Sequence, residues 1–228
     1  MPIKKNDFIE IEYTGRLKEG NIVFDTTDAK IANEHHIASQ TAVYGPIIIC
    51  VGEGHVVKGL DKFLEGKDLG KFIVDLAPED AFGKKDVKLI AMIPSKKFIE
   101  QKVQPMPGLQ VNVDGMSGII RTVAGGRIIV DFNHPLSGKA VVYEIKINRV
   151  VVDKKEKAEA LAKLMFGKGV KVAFDGETAK IETLHEIPLP ISNDLKKKFK
   201  DIAEVNLEFV KIDSKTEKQK NPVASKEQ

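Results

Sequence analysis

The pair Phe24-Asp25 sets a carboxylate directly after an aromatic ring, within the stretch EYTGRLKEGNIVFDTT that spans residues 12–27. A carboxylate among apolar groups loses hydration unless it finds donors, so Asp25 reads either as a turn cap or as part of a site. Other side chains able to do chemistry are sparse. Cys50 lies in the apolar run PIIICVG and reads as a buried strand position rather than a reactive thiol; as the single cysteine, it excludes an internal disulfide. His35, His36, His55, His134 and His185 show no ligand spacing with each other or with Cys50, so no metal and no cofactor is expected. The glycines of GLDKFLEGKDLG lack the Lys-Ser/Thr ending of a phosphate loop, and KKKFK at 196–200 reads as a solvated helix face.

Phe8, Ile9, Ile11 and Tyr13 partly alternate with polar residues, the KEGN segment supplies a turn, and Ile22, Val23 and Phe24 resume as a second strand. YGPIIICVG predicts a further strand. HVVKGLDKFLEGKDLG predicts a helix that starts near Val56 and Val57, carries Leu60, Phe63 and Leu64 on one face, and stops at Gly66. KFIVDLAPED is a strand ended by Pro78, and residues 25–44 read as a long polar loop. From Lys85 to Asn133 the texture changes to short strands, with an AGG turn at 124–126. AVVYEIKINRVVV, Ala140 to Val152, is then a long strand that belongs with the N-terminal sheet. An excursion of this length within one sheet predicts an inserted domain.

After Asp153 the pattern predicts a helix with Ala158, Leu161, Ala162 and Met165 on one face and a stop at Gly167. The strand VKVAF, an Asp175-Gly176 turn and the strand TAKIETLHEI follow. A short helix capped by Ser192 or Asn193 and the strand VNLEFVKI complete the segment. This is an α-β-β-α-β sandwich. Residues 214–228 lack a periodic apolar face and are expected to be disordered.

At 228 residues and 42% hydrophobic content the chain can build one large core or two to three small ones. Its 36 basic and 33 acidic side chains leave +3, too little to argue for nucleic acid, and the surplus lies after Asp153 interleaved with acids. No run approaches a membrane span and MPIKKNDF has no apolar leader core, so a soluble cytoplasmic protein without membrane contact is expected.

Three ordered segments, YTGRLKEGNIVFDTT, VGEGHVVKGLDKFLEG and APEDAFGKKD, followed by the return segment VDFNHPLSGKAVVYEIKI, carry a resemblance. The chain resembles FKBP-type peptidyl-prolyl cis-trans isomerases over about residues 1–153. Within them it is similar to the SlyD-like and long archaeal members, in which a chaperone domain is inserted in the flap. The resemblance implies an α+β fold: a half-wrapped antiparallel sheet with one packed helix (1–84 and 134–153), a small β-rich insertion (85–133), a C-terminal α/β sandwich (154–213) and a tail (214–228).

It also implies a site between helix and sheet. Tyr13, Asp25, Phe82 and Tyr143 fall on catalytic positions, with Phe82 and Tyr143 at the rim. Phe24, Ile47, Val56, Val57, Leu60 and Leu136 fall on substrate-binding positions, with Leu60 as the floor. Leu60 replaces the tryptophan of drug-binding members, and Phe82 replaces a rim tyrosine whose hydroxyl would bond a substrate carbonyl. In the insertion, Ile90, Met92, Ile93, Met106, Leu109, Val111 and Met116 are candidate contacts for unfolded chains. The partners implied are unfolded or proline-containing polypeptides. A weakly catalytic holdase on the same fold is the alternative. Alternate residues of VNLEFVKI, with Ile181 and Thr183, predict an open apolar face on the C-terminal sheet and hence a homodimer through it.

Overall fold

A computed structural model describes residues 1–167, 169–183 and 186–211; His185 and the 214–228 tail lie outside the described residues. In chain order the elements begin with β1 (Phe8–Leu17), β2 (Val23–Thr26), α1 (Ala29–Glu34), β3 (Ile47–Cys50), α2 (Lys58–Leu64) and β4 (Gly70–Leu76). There follow β5 (Ile90–Pro94), α3 (Ser95–Glu100), β6 (Gln110–Val113), β7 (Met116–Ala124), β8 (Arg127–Asp131) and β9 (Val141–Val151). The chain closes with α4 (Lys154–Phe166), β10 (Val172–Asp175), β11 (Thr178–Thr183), α5 (Leu189–Lys198) and β12 (Asn206–Lys211). The fold is mixed α+β, dominated by antiparallel pairing.

The first sheet has the order β2-β1-β9-β4, with β3 also on β1. β2 and β3 share one edge of β1 in tandem: Phe8 to Ile11 face β3, and Thr14 to Arg16 face β2. The chain between them therefore has to leave the sheet and return. Its neck is closed by Thr27 N–H donating to the Tyr13 carbonyl at 2.9 Å and Gly45 N–H to the Thr27 carbonyl at 2.8 Å. The segment is not the plain loop expected, because α1 forms inside it. Asp28 caps that helix, accepting from the Lys30 amide at 2.7 Å.

α2 packs Leu60 and Leu64 against one face of this sheet, among Ile9, Ile11, Val74, Tyr143 and Ile145. The opposite face is covered too at its far end, since Phe8, Cys50 and Val151 join a second core with α4. This is why Phe8 and Ile9 are both buried and why the alternation along β1 is only partial.

β5-β8-β7-β6 form a separate four-stranded sheet with its own core of Ile93, Phe98, Val113, Ile120, Ile128 and Val130. At its root Asp131, almost fully buried, accepts from Arg121 Nη2 at 3.0 Å, Lys85 Nζ at 3.3 Å and Asn133 Nδ2 at 2.8 Å. Asn133 in turn exchanges two hydrogen bonds with the Asp86 backbone. The entering and leaving strands of the excursion are thereby clasped together.

In the C-terminal segment Asp153 caps α4 through the Glu156 amide, and Gly167 ends it at φ +91°. β10 and β11 form the expected hairpin, whereas β12 lies parallel to β11 after the α5 crossover. Two expectations are corrected. α5 begins at Leu189, and Ser192 lies inside it with its amide donating to the Pro188 carbonyl, because Pro190 suits the first helical turn. Nor is there an open apolar sheet face: Ala179, Ile181 and Leu207 are buried in a core with α4, Phe199 and Ala203. The outward face instead carries Lys180, paired with Asp175 and Glu208.

Candidate active site

The Tyr13 and Asp25 side chains meet because β1 and β2 are antiparallel neighbours in register Gly15↔Asp25. Tyr13 Oη donates to Asp25 Oδ2 at 2.8 Å. Asp25 is solvent-exposed, so water retains much of its hydration; the cap role belongs to Asp28, three residues on. The two threonines of the DTT run fix this register. Thr26 and Thr14 hydroxyls hydrogen-bond at 2.8 Å, and Thr27 Oγ1 accepts from the Tyr13 amide at 2.9 Å.

Around Tyr13 the rings pack edge to face, with centroids 5.9 Å apart for Tyr13 and Tyr143, 5.8 Å for Phe24 and Tyr143, and 5.6 Å for Phe24 and Phe82. Gly15 makes this closeness possible. A Cβ there would come within 2.8 Å of the Phe24 ring and 2.9 Å of Tyr143. Tyr143 is 4% exposed, so it stands as an inner wall rather than at the rim expected for it. Phe82 is half-buried and stacked flat on the His134 ring at 4.8 Å, and Ser137 Oγ donates to the Phe82 carbonyl at 3.1 Å.

Leu60 is fully buried in the core that these rings join, and Ile47, Val56 and Val57 are half-buried around the same core. The turn that carries Val56 and Val57 is tied to α2 by Asp61, whose carboxylate accepts from the Gly52 amide at 2.8 Å and the Gly54 amide at 3.0 Å. Leu136 is half-buried in the loop after Asn133 and does not join that core. Gly15, Thr26, Thr27 and Asp61 support the site yet were not singled out from the sequence. For Asp61 the signal was there: a carboxylate beside Leu60 and Leu64 on an apolar helix face.

Burial, reinforced by the Asp25 charge, pushes the Tyr13 and Tyr143 phenols well above their ordinary range, so both stay protonated donors. The Tyr143 hydroxyl has no hydrogen-bond partner among the described residues. The arrangement provides an aromatic surface with two phenols and one carboxylate at its edge. It pairs no nucleophile with a base. A groove of about 620 Å³ beside Tyr13 has a mixed lining, with Glu12, Lys71, Glu144 and Lys146 alongside Ile31, Phe72, Ile73 and Ile145.

In the excursion the candidate contacts separate into two groups. Met92, Met106 and Met116 are more than half exposed, and Ile90 is exposed as well. Ile93, by contrast, is buried in the local core and out of reach of a client, while Leu109 and Val111 are half-buried against that core. They are needed where they are, since a sheet of this size has few other residues to fill its interior. Val87 and Ile99 are exposed apolar residues that the sequence reading did not name.

A family model described as FKBP-type peptidyl-prolyl cis-trans isomerase matches residues 1–104, and one described as FKBP26, IF domain, matches residues 91–136. A short-type peptidyl-prolyl cis-trans isomerase of Methanocaldococcus jannaschii is 31% identical over 149 residues, covering 65% of this chain and 94% of that protein. The chain belongs to the FKBP-type peptidyl-prolyl cis-trans isomerase family. The FKBP-type isomerase SlyD of Vibrio cholerae is 29% identical over 153 residues, 64% of this chain and 68% of that one. An FKBP-type 16 kDa isomerase of Escherichia coli is 32% identical over 107 residues, 45% and 72% respectively. The enzymatic class is therefore peptidyl-prolyl cis-trans isomerase, of SlyD-like character. No helix among the described residues is long and apolar enough to cross a membrane.

Proposed function

We propose that this FKBP-type isomerase captures unfolded chains on residues 85–133 and rotates their X-Pro bonds against the Tyr13–Phe24–Tyr143 surface. The observation that carries the reading is the exposure of Met92 and Met116 on a sheet whose root adjoins the Phe82–His134 stack, with Met106 exposed in the segment that leads into β6. Methionine is flexible and polarizable, which suits binding that tolerates many sequences. The domain division that follows is 1–84 with 134–153 for catalysis, 85–133 for capture, and 154–213 as a C-terminal unit.

Rotation about an X-Pro bond is opposed by amide resonance, a barrier of ~18–20 kcal/mol. Twisting removes conjugation and lowers the amide's polarity, so a water-poor aromatic wall favours the twisted state over the planar one. Phe24, Ile47, Val56, Val57 and Leu60 hold the prolyl ring. The unpartnered Tyr143 hydroxyl is free to donate to a substrate carbonyl. Asp25 orients Tyr13 and places negative charge beside the twisting bond. Phe82 supplies shape without the hydroxyl of a rim tyrosine, which forgoes ~1 kcal/mol of hydrogen bonding and weakens macrolide affinity accordingly.

The test is suppression of aggregation of a denatured client, together with isomerisation of a tetrapeptide. Replacing Met92, Met106 and Met116 by serine should abolish the first and spare the second. Equal loss of both, or of neither, contradicts the division of labour. A homodimer through 154–213 would rest on the exposed Leu189 and Ile191 of α5 rather than on the covered sheet. Light scattering at micromolar concentration decides it, and a monomeric mass ends it.

A further inference from the structure

The turn between β3 and α2, residues 51–57, carries Val56 and Val57 and is pinned at three points. Asp61 holds the Gly52 and Gly54 amides. His55 folds back so that its Nδ1 accepts the Cys50 amide at 3.2 Å, which requires that nitrogen to be unprotonated. Glu53 reaches out of the turn to Lys198 on α5, 2.6 Å away. The last pin comes from the C-terminal segment, far along the chain from every residue of the pocket. The two segments also share an apolar core through Phe8, Cys50 and Val151, so α5 is not free to drift from the turn.

We propose that Lys198 and His55 are positioning residues for isomerisation: α5 holds the 51–57 turn through Glu53, and neutral His55 keeps that turn in the geometry that sets Val56 and Val57 against substrate. The inference rests on the proposed pocket, in which Val56 and Val57 are walls. Protonating His55 Nδ1 removes the acceptor for the Cys50 amide and places a cation in a half-buried site facing Lys198. Burial and Lys198 both pull the His55 imidazole below its ordinary 6.5, while Glu53 and Asp61 oppose them. The Cys50 thiol, pushed up to about 12 chiefly by burial, stays neutral throughout. Activity therefore falls as pH drops below 6.5 through this depressed value, because the wall moves out of register. The loss appears mainly in KM, since the wall grips substrate and does not take part in bond rotation.

The experiment is a protease-free tetrapeptide assay on the full chain between pH 5 and 8. The wild type should show an acid limb in kcat/KM below 6.5 that His55→Gln flattens, since an amide oxygen can accept the Cys50 N–H without titrating. Lys198→Met, removing a nearby cation, should move the limb to higher pH, whereas Glu53→Gln should move it to lower pH. Lys198→Arg should restore the wild-type profile. Opposite displacements by the two members of one ion pair are not expected of a merely structural contact. An active wild type whose limb is unchanged in Lys198→Met and Glu53→Gln, or persists in His55→Gln, overturns this inference alone. A wild type inactive at every pH overturns the pocket reading and takes this inference with it.

Discussion

At the scale of single residues the site depends on contacts that substitutions can separate. Tyr13→Phe deletes the phenol that donates to Asp25 and leaves the ring in place. One hydrogen bond at an exposed carboxylate is worth ~1 kcal/mol, so kcat/KM on a tetrapeptide should fall about fivefold with little change in melting temperature. Asp25→Ala removes the charge as well and should lower the rate further, again without unfolding. Gly15→Ala should behave differently. Its Cβ would stand 2.8 Å from Phe24 and 2.9 Å from Tyr143, too close for either ring to stay where it is. Overpacking of this kind costs ~1–3 kcal/mol, so both stability and activity should drop, as calorimetry and the same assay would register.

Among the elements, the clasp at the root of the excursion makes a pH prediction. Burial alone would raise the Asp131 carboxyl, but hydrogen bonds from Asn133, Arg121 and Lys85 outweigh it and hold the value near 2, below the ordinary 3.8. A group depressed in the folded state contributes stability above its unfolded value and loses it as pH falls toward the folded one. Thermal melts should therefore show a stability loss between about pH 4 and 2 that Asp131→Asn reduces. Curves of identical pH slope would show that the clasp carries no such linkage. Of the elements, α2, β9 and α4 were legible in the sequence through an apolar period or a marked stop such as Gly167 after α4, and β1 through the KEGN turn that follows it. α1 and α3 were not. Each has six residues and a single buried side chain, Ala32 or Phe98, too few to impose a period. Site legibility divided similarly. Tyr13, Phe24 and Asp25 stood out by type, whereas Thr26, Thr27 and Gly15 act through backbone register and lack of volume, which a sequence pattern does not display.

Across the whole molecule, the C-terminal segment packs on the first sheet, since α4 shares a core with Phe8, Cys50 and Val151. A 1–153 truncation would bare those side chains, of which Phe8 and Val151 are each worth ~1.5–3 kcal/mol when fully buried, so its melting temperature should fall clearly below that of the full chain. An unchanged melting temperature would mean that the two parts fold independently. The excursion has the opposite character, with its own sheet and core. On the proposed division of labour, joining capture and catalysis in one chain would raise the local concentration of a client's proline at the pocket, a gain open to long chains and closed to short peptides. The most direct measurement is proline-limited refolding of a denatured protein, beside tetrapeptide isomerisation, with the full chain and with residues 85–133 replaced by a short flap. The expected result is acceleration of both reactions by the full chain, with the replacement losing most activity on the protein and keeping it on the peptide. Refolding by the full chain at the uncatalysed rate would contradict the account.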